Sequence, residues 1–203
     1  MMTLYYSPGA CSLADHIALH EAGEKFNLVK VDLKTHKLED GRAFKEINPK
    51  GYVPALELDN GQILTEVGTI IQYLADQKKE LKLVPEAYTM ERYRLMEWIN
   101  FISTEIHKQF GPLFRPNTPE ETRQNQTMLL AKRFDFLAER LKGKQYLMGE
   151  NFTVADAYLF TVLNWSPKLK IDLAPWPIIQ TYMTRVASRP CVTETLRAEE
   201  LVK

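Results

Sequence analysis

Cys11 is the residue with the most direct chemistry to offer. It follows the turn Ser7-Pro8-Gly9 and stands at the expected start of a helix. The N–H groups and partial positive charge of a helix N-terminus shift a thiol toward thiolate, its nucleophilic form. The same position also suits a small buried hydrophobe, the commoner fate of a lone cysteine. Both readings are open on the residues alone. Position 8 is Pro and position 14 is Ala, so there is no C-x-x-C pair and a self-contained dithiol cycle is not expected. Thr65-Glu66 ends an expected strand and opens a helix. A carboxylate there can hold an ammonium while the N–H groups that follow hold a carboxylate, the two needs of an amino-acid headgroup. The plain alternative is an acidic residue that complements the helix dipole.

A third group lies in the run Glu97-Trp-Ile-Asn-Phe-Ile-Ser-Thr-Glu-Ile-His-Lys108. At ~100° per residue, Leu95, Trp98, Ile99, Ile102, Ile106 and Phe110 share one broad face, and Asn100, Thr104, His107 and Lys108 share the opposite one. A solvated face is the default. Solvent faces favour Glu and Lys, however, and Asn, Thr and His are mediocre helix formers, so these residues also suit the wall of a polar ligand pocket. Trp165, Trp176, Phe160 and Tyr158 read as packing. His16, His20 and His36 show no ligand spacing with a cysteine or carboxylate cluster, so no metal site is expected. There is no Gly-rich phosphate loop and no nucleophile elbow.

The elements that must position these residues come in two blocks. Thr3–Tyr6 is a short β-favouring run, 11–22 a helix stopped by Gly23, and 26–31 a second strand. A short helix at 43–47 ends in Asn48-Pro49-Lys50-Gly51. Residues 53–58 and 62–65 flank Asp59-Asn60-Gly61, a strong hairpin signal, and a helix follows from 67 to 77. Pro54 should stand at a strand start, with a cis Val53–Pro54 bond plausible there. The order β-α-β-α-β-β-α implies a small mixed sheet with helices on both faces. After a patternless linker, 80–88, the period is helical throughout, with helices expected at 89–111, 119–142, 154–165 and 176–188. Thr153-Val-Ala-Asp156 is a capping-box start. The predicted organisation is an α/β domain over 1–79 and an all-α domain over 89–203.

Lys+Arg and Asp+Glu are both 26, so the formal net charge is zero. Nucleic acid or an anionic membrane would favour a basic excess, and neither is expected as a partner. Two cysteines far apart do not build a disulfide-stapled domain. The first residues lack a basic segment followed by an apolar one, and no run approaches the ~18 apolar residues of a membrane helix. The expectation is a cytoplasmic protein.

Taken together, several segments resemble the glutathione transferases, most closely the bacterial beta class. They are 5–12 (YYSPGACS), 48–56 (NPKGYVPAL), 64–66 (LTE), 71–76 (IQYLAD), 97–101 (EWINF), 105–108 (EIHK) and 152–160 (FTVADAYLF). The likeness covers essentially the whole chain, and the joint set in this order is highly specific. It implies a thioredoxin-like domain followed by a helical domain, assembled as a homodimer, with glutathione as co-substrate. It implies that Val53 offers its backbone to the cysteinyl part of glutathione, and that Glu66 with the Val67 backbone holds the γ-glutamyl headgroup. Cys11 takes the place near the glutathione sulfur, with Tyr6 at the edge of the site. Asn100, Thr104, Glu105 and His107 match positions that reach glutathione, some of them across the dimer interface. Three departures stand out: Tyr52 where the family usually has Gln, Val67 where it has a small residue, and His36 where it often has a basic residue for the glycyl carboxylate. A histidine there makes that contact weaker and pH-dependent.

The implied activity is conjugation of the glutathione thiol to electrophilic small molecules, with Cys11, His107 and Tyr6 as catalytic candidates. Two alternatives share the same residues. One is a thiol–disulfide oxidoreductase in which Cys11 forms a mixed disulfide with glutathione. The other is a non-catalytic ligand-binding protein of the same fold.

Overall fold

The computed structural model describes residues 1–202 and divides into two compact units. The first comprises Met1–Leu83 together with the chain from Arg189 onward; the second is Val84–Ser188. The division departs from the sequence-based domains, which placed everything after residue 88 in the second. The physical reason is a last helix, Pro190–Ala198, that packs on the first helix of the chain. Arg189 clamps it there through two bonds to the Glu21 carboxylate, at 2.7 and 2.8 Å. Pro190 stands at the start of that helix, where a missing N–H costs nothing.

The first unit contains strands β1 (Met2–Tyr6), β2 (Phe26–Asp32), β3 (Lys37–Leu38), β4 (Ala55–Glu57) and β5 (Ile63–Thr65). Its helices are α1 (Leu13–Glu21) and α2 (Val67–Asp76), plus the last helix of the chain. The sheet order is β3-β2-β1-β4-β5, with β1 and β2 parallel and every other pair antiparallel. Strand β3, two residues long, was not foreseen, and the expected helix at 43–47 is a single 3₁₀ turn, Phe44–Glu46. The hairpin forms as read: Leu56 faces Leu64, and Gly61 supplies the positive φ (79°) that the turn requires. One sheet face buries Tyr5, Val31, Leu38, Phe44, Val53 and Ala55 as a single cluster. Leu13, Ile17, Ile70, Ile71 and Leu74 bury the facing sides of α1 and α2, which pack on each other. The Val53–Pro54 peptide is cis.

In the second unit, α3 (Met90–Phe101) runs into a π-helical turn, Ile102–His107, then α4 (Lys108–Phe110) and a 3₁₀ turn to Phe114. Helices α5 (Glu120–Leu141), α6 (Val154–Leu163) and α7 (Pro177–Ala187) follow. The last helix, Pro190–Ala198, is therefore α8. All ten residues of α6 are buried, as suits a helix that is apolar but for Asp156 and Thr161. Its capping box closes as predicted. Asp156 accepts from the Thr153 N–H and hydroxyl (2.8 and 2.9 Å), and also from the Leu147 N–H and the Tyr182 hydroxyl (2.9 and 3.0 Å). Among the described residues, no helix is long and apolar enough to cross a membrane.

Candidate active site

Between β1 and α1 the chain turns through Ser7–Ser12. Ser12 is the cap residue of α1, so Cys11 lies one position before it and not in the first helical turn. This loop is held both from within and from the far end of the chain. The Ser7 N–H donates to Ser12 Oγ at 3.2 Å, and the Ala10 N–H to the Ser7 carbonyl at 3.0 Å. The Gly9 N–H donates to Glu199 Oε2 at 2.8 Å. Gly9 is needed: its φ is 68°, and a Cβ there would lie 3.2 Å from the Leu201 side chain. The other oxygen of Glu199 lies 2.8 Å from His16 Nδ1, and both side chains are fully buried. The support of the thiol loop thus comes from the end of the chain, through a histidine that sequence reading had only excluded as a metal ligand.

The Cys11 thiol donates to the carbonyl of Val53 at 3.2 Å, so the structure joins these two predicted residues directly. The segment that carries Val53 is tied down on both sides. Asn48 donates its amide to the Tyr52 carbonyl at 2.7 Å, and His36 Nδ1 donates to the Gly51 carbonyl at 2.9 Å. His36 is exposed and has a positive φ of 54°. Glu66 caps α2 with φ 74°, and its carbonyl accepts from Thr69 and Ile70. Its carboxylate takes the Lys50 ammonium and, at 3.1 Å, the Tyr52 hydroxyl; Lys50 also donates to Thr65 Oγ1 at 3.0 Å. Hydrogen bonding to Glu66 raises the Lys50 pKa, and burial followed by the Glu66 bond raises that of Tyr52. Tyr52, noted as a departure from the family, is therefore a phenol donor to the predicted headgroup carboxylate. The buried Val67 opens α2 immediately after it. A thiol, the backbone of the segment ahead of β4, a carboxylate and a helix N-terminus are the parts needed to bind a γ-glutamyl-cysteinyl peptide. Tyr6 lies edge-on to His16, with ring centres 6.0 Å apart. Burial, then Glu199, pushes its phenol upward, which suits it as a hydrogen donor and not as a base.

In the second unit the π turn changes the geometry that ideal helical spacing predicts. Asn100, Thr104 and Lys108 are exposed, and the Thr104 hydroxyl returns to the Asn100 carbonyl at 3.0 Å. His107 leaves their face. A π turn holds more than 3.6 residues, so positions after it are rotated relative to an α-helix, and such turns recur at functional sites. His107 Nδ1 lies 2.7 Å from the Tyr158 hydroxyl, and its ring meets the Trp165 indole edge-on at 5.0 Å. Glu105 turns toward α5, where its carboxylate takes two nitrogens of Arg133. The polar face expected from helical spacing is thus split, with Asn100, Thr104 and Lys108 exposed and His107 paired with Tyr158, while Glu105, which the resemblance added, pairs with Arg133. Tyr158, read from sequence as packing, is 2% exposed as expected, but its hydroxyl engages the histidine. Among the described residues, no group of three His, Cys, Asp or Glu side chains is placed to hold a metal ion.

Comparison with known proteins matches residues 10–77 to the family model described as the glutathione S-transferase N-terminal domain and residues 101–190 to that of the C-terminal domain. Glutathione S-transferase GstA of Escherichia coli O157:H7 is 48% identical over 98% of this chain and 100% of its own length. A crystal structure of a glutathione transferase from Methylococcus capsulatus superposes with a TM-score of 0.98 at 55% identity, covering all of both chains. The bacterial beta-class glutathione S-transferase of Sphingomonas chungbukensis gives 0.95 at 45% identity, covering 98% of this chain and 100% of its own. With such identity over its whole length, and with both domains of the family present, the chain belongs to the glutathione S-transferase family.

Proposed function

We propose that this protein binds glutathione on its first unit and joins glutathione, through its thiol, to electrophilic small molecules. The observation that carries the reading is the join of Cys11 to the Val53 carbonyl beside a carboxylate at a helix N-terminus. In this reading Val53 pairs with the cysteinyl backbone, Glu66 takes the γ-glutamyl ammonium, the Val67 N–H takes its carboxylate, and His36 meets the glycyl end. Cys11 lies beside the glutathione sulfur and Tyr6 donates at the edge. Catalysis lies in ionising and orienting the thiol, for which a neutral imidazole such as His107 is a suitable donor. Asn100, Thr104 and Glu105 complete the glutathione contacts, some of them from a partner subunit.

The proposed homodimer is supported by an apolar stretch on α3 and α5. Trp98, Phe101 and Phe136 meet edge-on or tilted with ring centres 5.1–6.1 Å apart, and Phe136, Met96, Tyr93 and Met128 are exposed. Exposed apolar patches of this kind mark association surfaces.

Glutathione binding and conjugation test the reading in the same protein. Wild type should bind glutathione by calorimetry and sediment at twice the mass of one chain. Glu66→Gln should weaken binding by roughly tenfold or more, as expected when a charge partner is lost. His107→Ala should lower kcat/KM for a model electrophile by at least about tenfold, the low end of general acid–base effects. Unaltered binding in Glu66→Gln, or unaltered turnover in His107→Ala, would remove that residue from the reading.

A further inference from the structure

The proposed role of His107 leaves a question of protons. An imidazole that donates to a sulfur through one nitrogen must have the other nitrogen held, or it samples both neutral tautomers. The structure holds it. The Tyr158 hydroxyl lies 2.7 Å from His107 Nδ1, and the two rings meet edge-on with centres 5.8 Å apart at 88°. The Trp165 indole, itself 7% exposed, contacts the same imidazole at 5.0 Å and 67°. Tyr158 has no freedom to follow the imidazole, because it is 2% exposed on a fully buried helix whose start is locked by Asp156.

The chemical type of the partner matters as much as its position. A carboxylate facing Nδ1 can only accept, so it would favour the protonated, cationic ring. A phenol can donate or accept. A phenol hydroxyl is a stronger donor than an imidazole N–H, and a neutral imidazole nitrogen is a stronger acceptor than a phenol oxygen. With a neutral ring the favoured bond therefore runs from the hydroxyl to Nδ1; with a charged ring the hydroxyl accepts from Nδ1–H, and the bond survives either state. That direction favours the neutral ring with its proton on Nε2.

Resting on the reading of His107 given above, we propose that Tyr158 is its positioning residue, whose hydroxyl donates to Nδ1 and holds the imidazole as the Nε2–H tautomer, the form able to donate to a thiolate. Nothing in the sequence separates this tyrosine from its packing neighbours. Phe would fill the same space but leave Nδ1 without this donor.

Two-bond ¹H–¹⁵N correlation spectra of the imidazoles, assigned to His107 by comparison with His107→Ala, test the proposal on the wild-type protein. His107 should appear as the Nε2–H tautomer, and in Tyr158→Phe the same resonances should shift toward a mixture of tautomers. Tyr158→Phe should lower kcat/KM severalfold with the KM for glutathione near wild type, since it removes orientation and no glutathione contact. Added to His107→Ala it should change nothing further, because its effect passes through that ring. An Nδ1–H tautomer in wild type, an unchanged spectrum in Tyr158→Phe, or additive losses in the double variant would overturn the proposal. Unchanged turnover in His107→Ala alone would instead defeat the reading of His107, while the spectra would still decide what Tyr158 does to the ring.

Discussion

Cys11 and Cys191 are both thiols, and their surroundings set them apart. The Cys191 thiol faces the His20 carbonyl at 3.7 Å, and burial, then Glu21, pushes its pKa up. A raised thiol pKa leaves less thiolate at neutral pH and slows alkylation. Iodoacetamide should therefore label Cys11 before Cys191, and saturating glutathione should protect Cys11 alone. Equal rates, or no protection, would make Cys11 a structural residue. Conjugation should largely persist in Cys11→Ala, whereas a mechanism through a Cys11–glutathione disulfide would lose all activity. Lys50 permits a separate test. Its ammonium sits on the Glu66 carboxylate proposed for the γ-glutamyl ammonium, so the two must compete. Lys50→Met should tighten glutathione binding severalfold by calorimetry. Weaker binding would show that Lys50 assists the ligand and does not compete with it.

At the scale of elements, α6 and the loop before it depend on one carboxylate. Burial raises the Asp156 pKa even though two backbone N–H groups and the Thr153 and Tyr182 hydroxyls all donate to it. Asp156→Ala would strand several of those donors in the interior, at about 1–3 kcal/mol for each that finds no replacement. We expect a loss of about 3 kcal/mol or more in denaturant unfolding. A loss near 1 kcal/mol, the worth of an ordinary helix cap, would mean that the loop rearranges to satisfy them. The π turn belongs to this scale as well. It separates His107 from Asn100 and Thr104, and no propensity or spacing rule marks where an extra residue enters a helix.

At the scale of the molecule, the chain from Arg189 onward completes the first unit, and the result is a buried set of titrating groups. Asp15 is fully buried, and neither of its oxygens has a hydrogen-bond partner. Burial, with Glu199 close by, pushes its carboxyl well above the ordinary range. The sign follows from linkage. A carboxyl with a raised pKa in the folded state contributes stability that is whole below its unfolded pKa of about 4 and is lost as pH rises through the folded value. Asp15→Asn removes that titration. Its thermal midpoint should therefore rise relative to wild type as the pH is taken from about 5 to about 9. Parallel curves across that range would show that Asp15 keeps an ordinary pKa.

In the first unit the order of strands and helices, apart from β3 and the last helix, was legible in the residues, as were the hairpin at Asp59-Asn60-Gly61 and, in the second unit, the cap at Thr153. Each is local: it depends on a turn residue, a cap, a period or a motif within a few positions. The sequence likewise carried the family, since motifs spaced along the whole chain match it in order. Tertiary structure alone decided the rest. Gly9 meets Glu199 across 190 positions, His16 meets Glu199 across 183, and His107 meets Tyr158 across 51. A side chain buried for packing and one buried to hold an imidazole read alike in a sequence, because the difference is the group across from it. Bringing that group within hydrogen-bond distance is the work of the whole fold.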